Sequence, residues 1–267
     1  MKAMIFAAGL GTRLKPITDT LPKALVPVAG HPLIEHVCRK LKASGIDEAV
    51  VNVHHFADMV QQWADGQDIM KLDVSDERER LLETGGAVLH ARNYLEDSGR
   101  FLIHNVDILS NLDLAWFEEQ ISSDAMATLL VSRRQTSRML LFDPETMRLV
   151  GWHNVATGQV RSPYENINPE ECLAFAFSGI HIMSDTVFGP LQDYATTRGL
   201  CLTDQSPKFS IIDFYLWACA RHEINGVVAE NLELIDVGKL DTLDKAEEFL
   251  KQNHCCPVKV PDYYYKV

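Results

Sequence analysis

An apolar run that ends in a glycine-rich turn most constrains how this chain can fold. Residues 4–8 are long enough for one buried strand, and Gly9-Leu10-Gly11 follows them directly. Glycine frees the backbone from side-chain clashes, so the chain can turn sharply there and expose its N–H groups. Exposed N–H groups at a strand end bind phosphate oxygens. The opening stretch therefore predicts a first strand followed by an anion-binding loop.

Three cationic side chains follow the turn. Arg13, Lys15 and Lys23 lie in a segment that Pro16 and Pro22 stiffen. Arginine holds phosphate oxygens through paired N–H donors and lysine through a compact charge, so the segment is suited to a polyphosphate. Two familiar phosphate loops do not fit, because position 14 lacks the third glycine of the dinucleotide fingerprint and the Walker Gly-Lys-Ser/Thr sequence is absent.

The segment as a whole resembles the phosphate loop of a known enzyme family. Its order is G-x-G-T-R and then, after a short spacer, Pro-Lys, and this order is similar to that of the sugar-1-phosphate nucleotidylyltransferases. In that family the glycines and the arginine wrap the triphosphate of an NTP, and the lysine contacts phosphate. The resemblance implies catalytic roles for Arg13, Lys23 and the later Asp107. The implied nucleotide contacts are Ala8, Gly9, Gly11, Thr12, Arg13, Lys23, Glu83 and Gly86.

A second glycine motif, Glu83-Thr84-Gly85-Gly86, opens a predicted helix. A glycine pair near a helix N-terminus lets a ligand lie flat on the backbone. The resemblance implies that this segment lies against the nucleobase, with Glu83 or a backbone group of Gly86 reading the base edge. Without the resemblance, the same residues predict only the beginning of a helix.

Two acidic residues that are far apart in the sequence complete the implied site. Asp107 matches the Asp of the family's N-G-D or N-A-D motif, with Val106 in place of the usual small residue. Asp236 matches the Asp of the W-x-D-[VI]-G segment, without its tryptophan. The resemblance implies that both carboxylates bind Mg²⁺, a metal that prefers oxygen ligands. The implied contacts to the sugar phosphate are Asn105, Ser178 and Gly179.

One motif of the family is missing. Many members carry Glu-Lys-Pro before the strand that contains the Ser-Gly pair, and its lysine contacts the sugar phosphate. Residues 159–171 of this chain contain Arg161 as their one cation. The alternatives for the missing charge are Arg133, Arg138 and Lys208, and the sequence does not choose between them.

Beyond the loop, short apolar runs typical of strands alternate with segments whose apolar residues recur at helical spacing. We expect strands at residues 48–53, 69–74 and 101–104, and helices at 31–44, 57–64 and from 81 to about 94. This order predicts an α/β fold with a doubly wound, mostly parallel sheet. Later runs at 125–132, 139–142 and 149–153 predict antiparallel hairpins added to the sheet. A strand at 173–183, a helix at 210–221, a strand at 223–228 and a helix at 242–251 follow.

The resemblance covers nearly the whole chain and implies a Rossmann-like, GT-A-like mixed sheet whose antiparallel part binds the sugar. We expect one nucleotidyltransferase domain over residues 1–267. Its nucleotide-binding half spans about 1–124, its sugar-phosphate-binding half about 125–253, and its tail 254–267. The tail includes three successive tyrosines at residues 263–265, which pack either on the body or on another subunit.

Charge and cysteine content narrow the function classes. A formal net charge of −12 argues against nonspecific nucleic-acid binding, which needs an excess of Lys and Arg. No apolar run approaches the roughly 20 residues of a membrane span. Six scattered cysteines without a CxxC pair or a secretion signal predict reduced thiols and a cytoplasmic location. His254-Cys255-Cys256 is an unfavourable metal cluster, because adjacent residues seldom ligate one ion well.

The resemblance implies an enzyme that transfers a nucleoside monophosphate from an NTP to a sugar-1-phosphate with Mg²⁺. The products are an NDP-sugar and pyrophosphate. Short single-domain members, which the chain resembles most, suggest UTP with N-acetylmuramate-1-phosphate or GTP with mannose-1-phosphate. Two alternatives remain, a non-catalytic sugar-nucleotide sensor and a phosphocholine cytidylyltransferase-like enzyme. The sequence leaves open whether the protein forms a homo-oligomer.

Overall fold

The computed structural model describes residues 1–200 and 206–253. Its strands are β1 (Lys2–Phe6), β2 (Pro27–Val28), β3 (His31–Pro32), β4 (Glu48–Val53), β5 (Lys71–Asp76), β6 (Arg100–Asn105), β7 (Ile108–Ser110), β8 (Ala127–Ser132), β9 (Arg138–Phe142), β10 (Leu149–Asn154), β11 (Gln159–Arg161), β12 (Leu173–Ser184), β13 (Ile224–Val228) and β14 (Leu234–Asp236). Its helices are α1 (Leu33–Ala43), α2 (Ala57–Gly66), α3 (Glu83–His90), α4 (Arg92–Leu95), α5 (Leu114–Glu119), α6 (Phe188–Thr197), α7 (Ile211–Ala218) and α8 (Leu243–Asn253).

Four parallel strands form one side of the main sheet, with β5 at its edge. Their order is β6-β1-β4-β5, and each neighbouring pair runs in the same direction. Parallel neighbours need crossover connections, which here contain α1, α2 and α3. The predicted doubly wound, mostly parallel α/β sheet is therefore confirmed. Because β1 and β6 are adjacent, the loops that follow them leave the same edge of the sheet.

The sheet continues beyond β6 with antiparallel strands, as the later short runs predicted. The long strand β12 pairs antiparallel with β6, β8 and β9, and β9, β10 and β11 form an antiparallel meander. A register shift interrupts the β12–β8 pairing between Phe177 and His181, at the Ser178-Gly179 pair. Such bulges redirect a strand and are common next to functional sites.

Helices cover both faces of the sheet. Along β1, Ala3 and Ile5 belong to one buried cluster and Met4 to the other, because successive side chains of a strand point to opposite faces. The first cluster includes the apolar face of α1, and the second includes buried residues of α3, α6 and α7. The core thus consists of two apolar layers, one on each face of the sheet.

Some element ends differ from the sequence prediction for local reasons. The strand predicted at 69–74 is observed at Lys71–Asp76, because the Gln67 side chain accepts hydrogen bonds from the N–H groups of Ile69 and Met70 and holds them in a turn. The helix predicted from 81 begins at Glu83 and is divided at Ala91 into α3 and α4.

The predictions about membrane spans, cysteines and the tail have the following outcomes. Within residues 1–200 and 206–253, no helix is both long and apolar enough to cross a membrane. Cys38, Cys172 and Cys219 are free. Cys201, the His254-Cys255-Cys256 run and the tyrosines at residues 263–265 lie outside the described residues.

Two buried histidines predict a loss of stability in acid. Burial lowers the pKa of His104 to about 4 and that of His181 to about 3. The unfolded chain binds these protons near pH 6.5, so below that value it binds more protons than the folded protein. The free energy of unfolding should therefore fall as the pH drops from 6.5 towards 4, by about 1.4 kcal/mol per pH unit for each histidine.

The His181→Asn variant isolates one of these two contributions. Asparagine does not titrate and can still bond the Tyr215 hydroxyl, which lies 3.1 Å from Nδ1 of His181. Urea unfolding at pH 6.5, 5.5 and 4.5 gives the free energy of unfolding at each pH. For His181→Asn the slope of this free energy against pH should be smaller than that of the unaltered protein by the contribution of about one proton. Equal slopes for the two proteins would contradict the prediction.

Candidate active site

The glycine turn after β1 has one position that only glycine fills well. Gly11 has φ +61°, and a Cβ placed on it would lie 2.9 Å from Cγ2 of Thr18. Its carbonyl accepts hydrogen bonds from the N–H of Leu14 and the hydroxyl of Thr18, each at 2.8 Å. A Cβ on Gly9 would have no neighbour within 4 Å. The turn is thus fixed at Gly11 and open at Gly9.

Replacing Gly11 with Ala should therefore destabilise the loop, whereas Gly9→Ala is the matched control. The left-handed conformation costs a non-glycine residue about 1–2 kcal/mol, and the contact with Thr18 adds to that cost. Chemical denaturation should show a lower free energy of unfolding for Gly11→Ala and little change for Gly9→Ala. Equal stabilities of the two variants would show that the turn is not fixed at Gly11.

Two distant carboxylates converge beside this loop. The two short strands β7 and β14 pair antiparallel, with Asp236 opposite Ile108. The N–H of Val237 donates to the carbonyl of Asp107 at 2.8 Å. Asp107 and Asp236 are therefore brought to one place, although 128 positions separate them in the chain.

The cations of the loop lie against these carboxylates. Lys23 is nearly buried, and its ammonium forms an ion pair with Oδ2 of Asp107. A Cβ placed on Gly238 would lie 2.8 Å from Nη2 of Arg13 and 2.7 Å from Oδ1 of Asp236. The guanidinium of Arg13 and the carboxylate of Asp236 thus both crowd the backbone of Gly238. The four charged residues implied by the resemblance are together.

Asp107 and Asp236 suit a divalent metal. Within the described part of the chain, Oδ1 of Asp236 is buried and has no hydrogen-bond partner, whereas buried polar atoms normally have one. Mg²⁺ is usually bound by one or two carboxylates together with phosphates of the substrate. Among residues 1–200 and 206–253 there is no group of three or more His, Cys, Asp or Glu that would form a complete metal cage. The two carboxylates therefore fit a divalent metal that is also bound by phosphates of a nucleotide.

A cavity of about 590 Å³ lies over the carboxyl ends of β1 and β6, the edge at which ligands bind in open parallel sheets. Nine residues predicted to bind nucleotide, sugar or metal line it: Ala8, Gly9, Gly11, Thr12, Arg13, Lys23, Glu83, Asn105 and Asp107. Predicted residues that are absent from its lining are Gly86, Ser178, Gly179 and Asp236.

Gly86 lies against the segment that precedes α7. Its N–H and that of Gly85 donate to the carbonyl of Phe209, at 3.2 and 2.8 Å. A Cβ on Gly86 would lie 2.1 Å from the carbonyl oxygen of Pro207. The glycine pair therefore packs against the segment before α7, and the backbone N–H of Gly86 is already bonded to the carbonyl of Phe209. Glu83 and Thr84 line the cavity in its place.

Ser178 and Gly179 lie behind Asn105 and not on the cavity surface. Gly179 has φ +73°, and a Cβ placed on it would lie 2.7 Å from Nδ2 of Asn105. The Oγ of Ser178 is buried and has no hydrogen-bond partner among the described residues. The bulge in β12 thus supports Asn105, which itself lines the cavity.

A second cavity, of about 730 Å³, adjoins the first and shares Glu83 and Ser210 with it. Arg161 and Lys208 line it, so one of the three cations considered for the missing lysine, Lys208, lies there beside Arg161. Arg161 forms an ion pair with Asp213 at 2.5 Å, and Lys208 lies 3.8 Å from Glu83. Neither Arg133 nor Arg138 lines this cavity.

Sequence reasoning missed two polar residues at the first cavity, Asn52 in its lining and Glu77 behind Asn52. Asn52 is buried near the end of β4, and its side-chain oxygen accepts a hydrogen bond from the N–H of Ala7 at 2.8 Å. Its amide nitrogen donates to Glu77, also at 2.8 Å. Burial raises the pKa of Glu77, and the bonds from Asn52 and Leu82 oppose that shift. An asparagine inside the apolar run of β4 was the available signal.

Comparison with known proteins places the chain in a family. The family model described as Nucleotidyl transferase matches residues 2–139, which is just over half of the chain. The chain belongs to this nucleotidyl transferase family. The predicted membership of the sugar-1-phosphate nucleotidylyltransferases is thereby confirmed, and with it the classification of the protein as a transferase.

Curated relatives of this nucleotidyl transferase have related activities in their names. It is 35% identical over 189 residues to the N-acetylmuramate alpha-1-phosphate uridylyltransferase of Caulobacter vibrioides, covering 67% of this chain and 74% of the relative. It is 33% identical over 138 residues to Mannose-1-phosphate guanylyltransferase 1 of Arabidopsis thaliana, covering 50% of this chain and 38% of the relative.

Solved structures of other proteins share the fold of this nucleotidyl transferase. HddC from Yersinia pseudotuberculosis complexed with GMP-PN matches with a TM-score of 0.68 and 23% identity, over 93% of this chain and 99% of HddC. The inositol-1-phosphate CTP transferase from T. maritima matches with a TM-score of 0.70 and 17% identity, over 94% and 95% of the two chains. At these identities the likeness concerns the fold.

Proposed function

We propose that this nucleotidyl transferase joins a nucleoside monophosphate from UTP to N-acetylmuramate-1-phosphate, with GTP and mannose-1-phosphate as the next candidates. The observation that carries the reaction type is the convergence of Arg13, Lys23, Asp107 and Asp236 beside one cavity. The order of substrates follows the relatives, because the uridylyltransferase is covered over 74% of its length and the guanylyltransferase over 38%.

The proposed reaction needs positioning and charge neutralisation more than a strong base. The second pKa of a phosphate monoester is about 6, so the acceptor oxygen is already anionic near neutral pH. The barrier comes from bringing two anions together and from charge that develops on the departing pyrophosphate. Arg13 would hold the β- and γ-phosphates through paired N–H donors, and Lys23 would hold the α-phosphate or the acceptor.

Asp107 and Asp236 would hold Mg²⁺, which when bound supplies positive charge to phosphate oxygens. Asn105, supported by Gly179, would contact the sugar-phosphate side. Glu83 and Thr84 would face the nucleobase. We further propose that the second cavity, with Arg161 and Lys208, accepts the sugar, which supports a division into nucleotide-binding and sugar-binding halves near residue 125.

The test is a pyrophosphate-release assay with each NTP, a panel of sugar-1-phosphates and Mg²⁺, and with phosphocholine as an additional acceptor. We expect release with UTP and N-acetylmuramate-1-phosphate, and none without acceptor. Absence of release across the panel, relative to an Asp107→Ala control, would refute the proposal. Tight binding of an NDP-sugar without turnover would favour the sensor alternative, and turnover of phosphocholine would favour the cytidylyltransferase-like one.

A further inference from the structure

Glu77 is a buried acid that the proposed reaction does not use. It follows β5 and is 3% exposed, in a sequence of charged residues that otherwise reads as a surface loop. Its N–H donates to the carbonyl of Val53 at 2.8 Å, and its carbonyl accepts from the N–H of Arg80 at 3.0 Å. The carbonyl also lies 2.7 Å from Nδ1 of His54. The backbone of Glu77 is therefore fixed, and its side chain starts from a defined position.

The carboxylate of Glu77 joins two segments that are remote in the sequence. Its Oε1 accepts from the side-chain amide of Asn52 at 2.8 Å, and its Oε2 accepts from the N–H of Leu82 at 3.1 Å. Asn52 in turn accepts from the N–H of Ala7. A carboxylate accepts and a backbone N–H donates, so the orientation of the Asn52 amide between them is determined by chemistry.

Both ends of this series of hydrogen bonds reach segments that line the nucleotide cavity. Ala7 lines it and leads into the glycine turn, and Asn52 lines it directly. Leu82 precedes Glu83, which lines the same cavity and has φ +59°, a conformation that is strained for a non-glycine residue. Such a conformation persists when neighbouring groups hold it, and the bond from Leu82 to Glu77 is one of them.

We propose that Glu77, acting through Asn52 and Leu82, is a positioning residue that sets the spacing between the phosphate loop and the segment facing the base. Glu77 does not line the nucleotide cavity itself. Its removal should therefore weaken NTP binding without changing the chemical step. The inference rests on the proposed function only in assuming that an NTP occupies this cavity.

The Glu77→Gln variant tests the proposal with almost no change in size. Both oxygens of Glu77 accept hydrogen bonds, and the glutamine amide nitrogen would face either the N–H of Leu82 or the amide of Asn52. If Asn52 rotates in response, its amide nitrogen faces the N–H of Ala7 instead. Every arrangement thus leaves two N–H donors facing each other without an acceptor. A buried donor without an acceptor is unfavourable, so we expect the KM and the Kd for NTP to rise about tenfold or more.

The other measurements separate positioning from a merely structural effect. For Glu77→Gln we expect kcat within about threefold of the unaltered protein and an unchanged KM for the sugar-1-phosphate. Glu79→Gln, an exposed acid of the same loop, is the charge-matched control and should bind UTP and GTP normally. Val60→Ala, in the buried face of α2, lowers stability away from the cavity and should also leave nucleotide affinity unchanged.

A double-mutant cycle with Asn52→Ala and Glu77→Ala completes the experiment, with calorimetric titration of UTP and GTP as the readout. If the two residues act through one chain of bonds, the affinity losses of the single variants should not add. Asn52→Ala carries the same test if Glu77→Gln does not fold. A variant of either residue that is less stable but binds NTP normally would overturn the inference. Failure of the unaltered protein to bind any NTP would overturn the proposed function as well.

Discussion

Asp107→Asn should lower the kcat for pyrophosphate release by about 10²–10³-fold in a protein that remains folded. The substitution keeps the shape of the side chain and removes the negative charge that pairs with the ammonium of Lys23. The loss of one preorganised electrostatic group at a reacting centre typically has an effect of this size. Steady-state kinetics with saturating NTP and sugar-1-phosphate measure it, and circular dichroism checks the fold.

Asp68→Asn is the control for this substitution, because Asp68 is exposed and lies in the turn between α2 and β5. It should retain full activity. If Asp107→Asn keeps more than about a tenth of the activity of the unaltered protein, the carboxylate does not have the proposed function.

Gly86→Ala should lower the free energy of unfolding by about 3 kcal/mol, the upper range for overpacking a buried site. The added Cβ would lie 2.1 Å from the carbonyl oxygen of Pro207, a backbone atom that cannot rotate away as a side chain can. It would also lie 3.2 Å from Cβ of Leu82. The clash should separate the segment before α7 from α3. Urea unfolding, followed by fluorescence, measures the change.

Gly66→Ala is the matched control, since a Cβ there would have no neighbour within 4 Å. Alanine also has the higher helix propensity, so Gly66→Ala should leave stability unchanged or raise it slightly. If Gly86→Ala is as stable as Gly66→Ala, the inference that residues 207–209 pack closely against α3 is wrong.

The central sheet was predictable because its signals are local. The apolar runs of β1, β4 and β6 alternate with helical periods, and that order alone favours a parallel sheet. The first loop was predictable for a similar reason, since its glycines and cations are adjacent in the sequence.

The parts that were missed depend on contacts between distant segments. In the sequence, a glycine pair that admits a ligand is indistinguishable from one that admits another stretch of backbone, and only the position of Phe209 shows which applies to Gly86. Glu77 lies among charged residues and is buried only because Asn52 and Leu82 offer donors. The pairing of β7 with β14 involves three residues on each side, too few for a periodic signal.

The twelve residues of β12 bear on how the protein can move. This strand is hydrogen-bonded to β6 of the parallel region and to β8 and β9 of the antiparallel region. A hinge motion between the two proposed halves would have to break the backbone hydrogen bonds that β12 makes to both regions. Such a motion is therefore unfavourable. We therefore expect any change of shape around the cavity to occur in the loops along its rim and not in this shared ladder of hydrogen bonds.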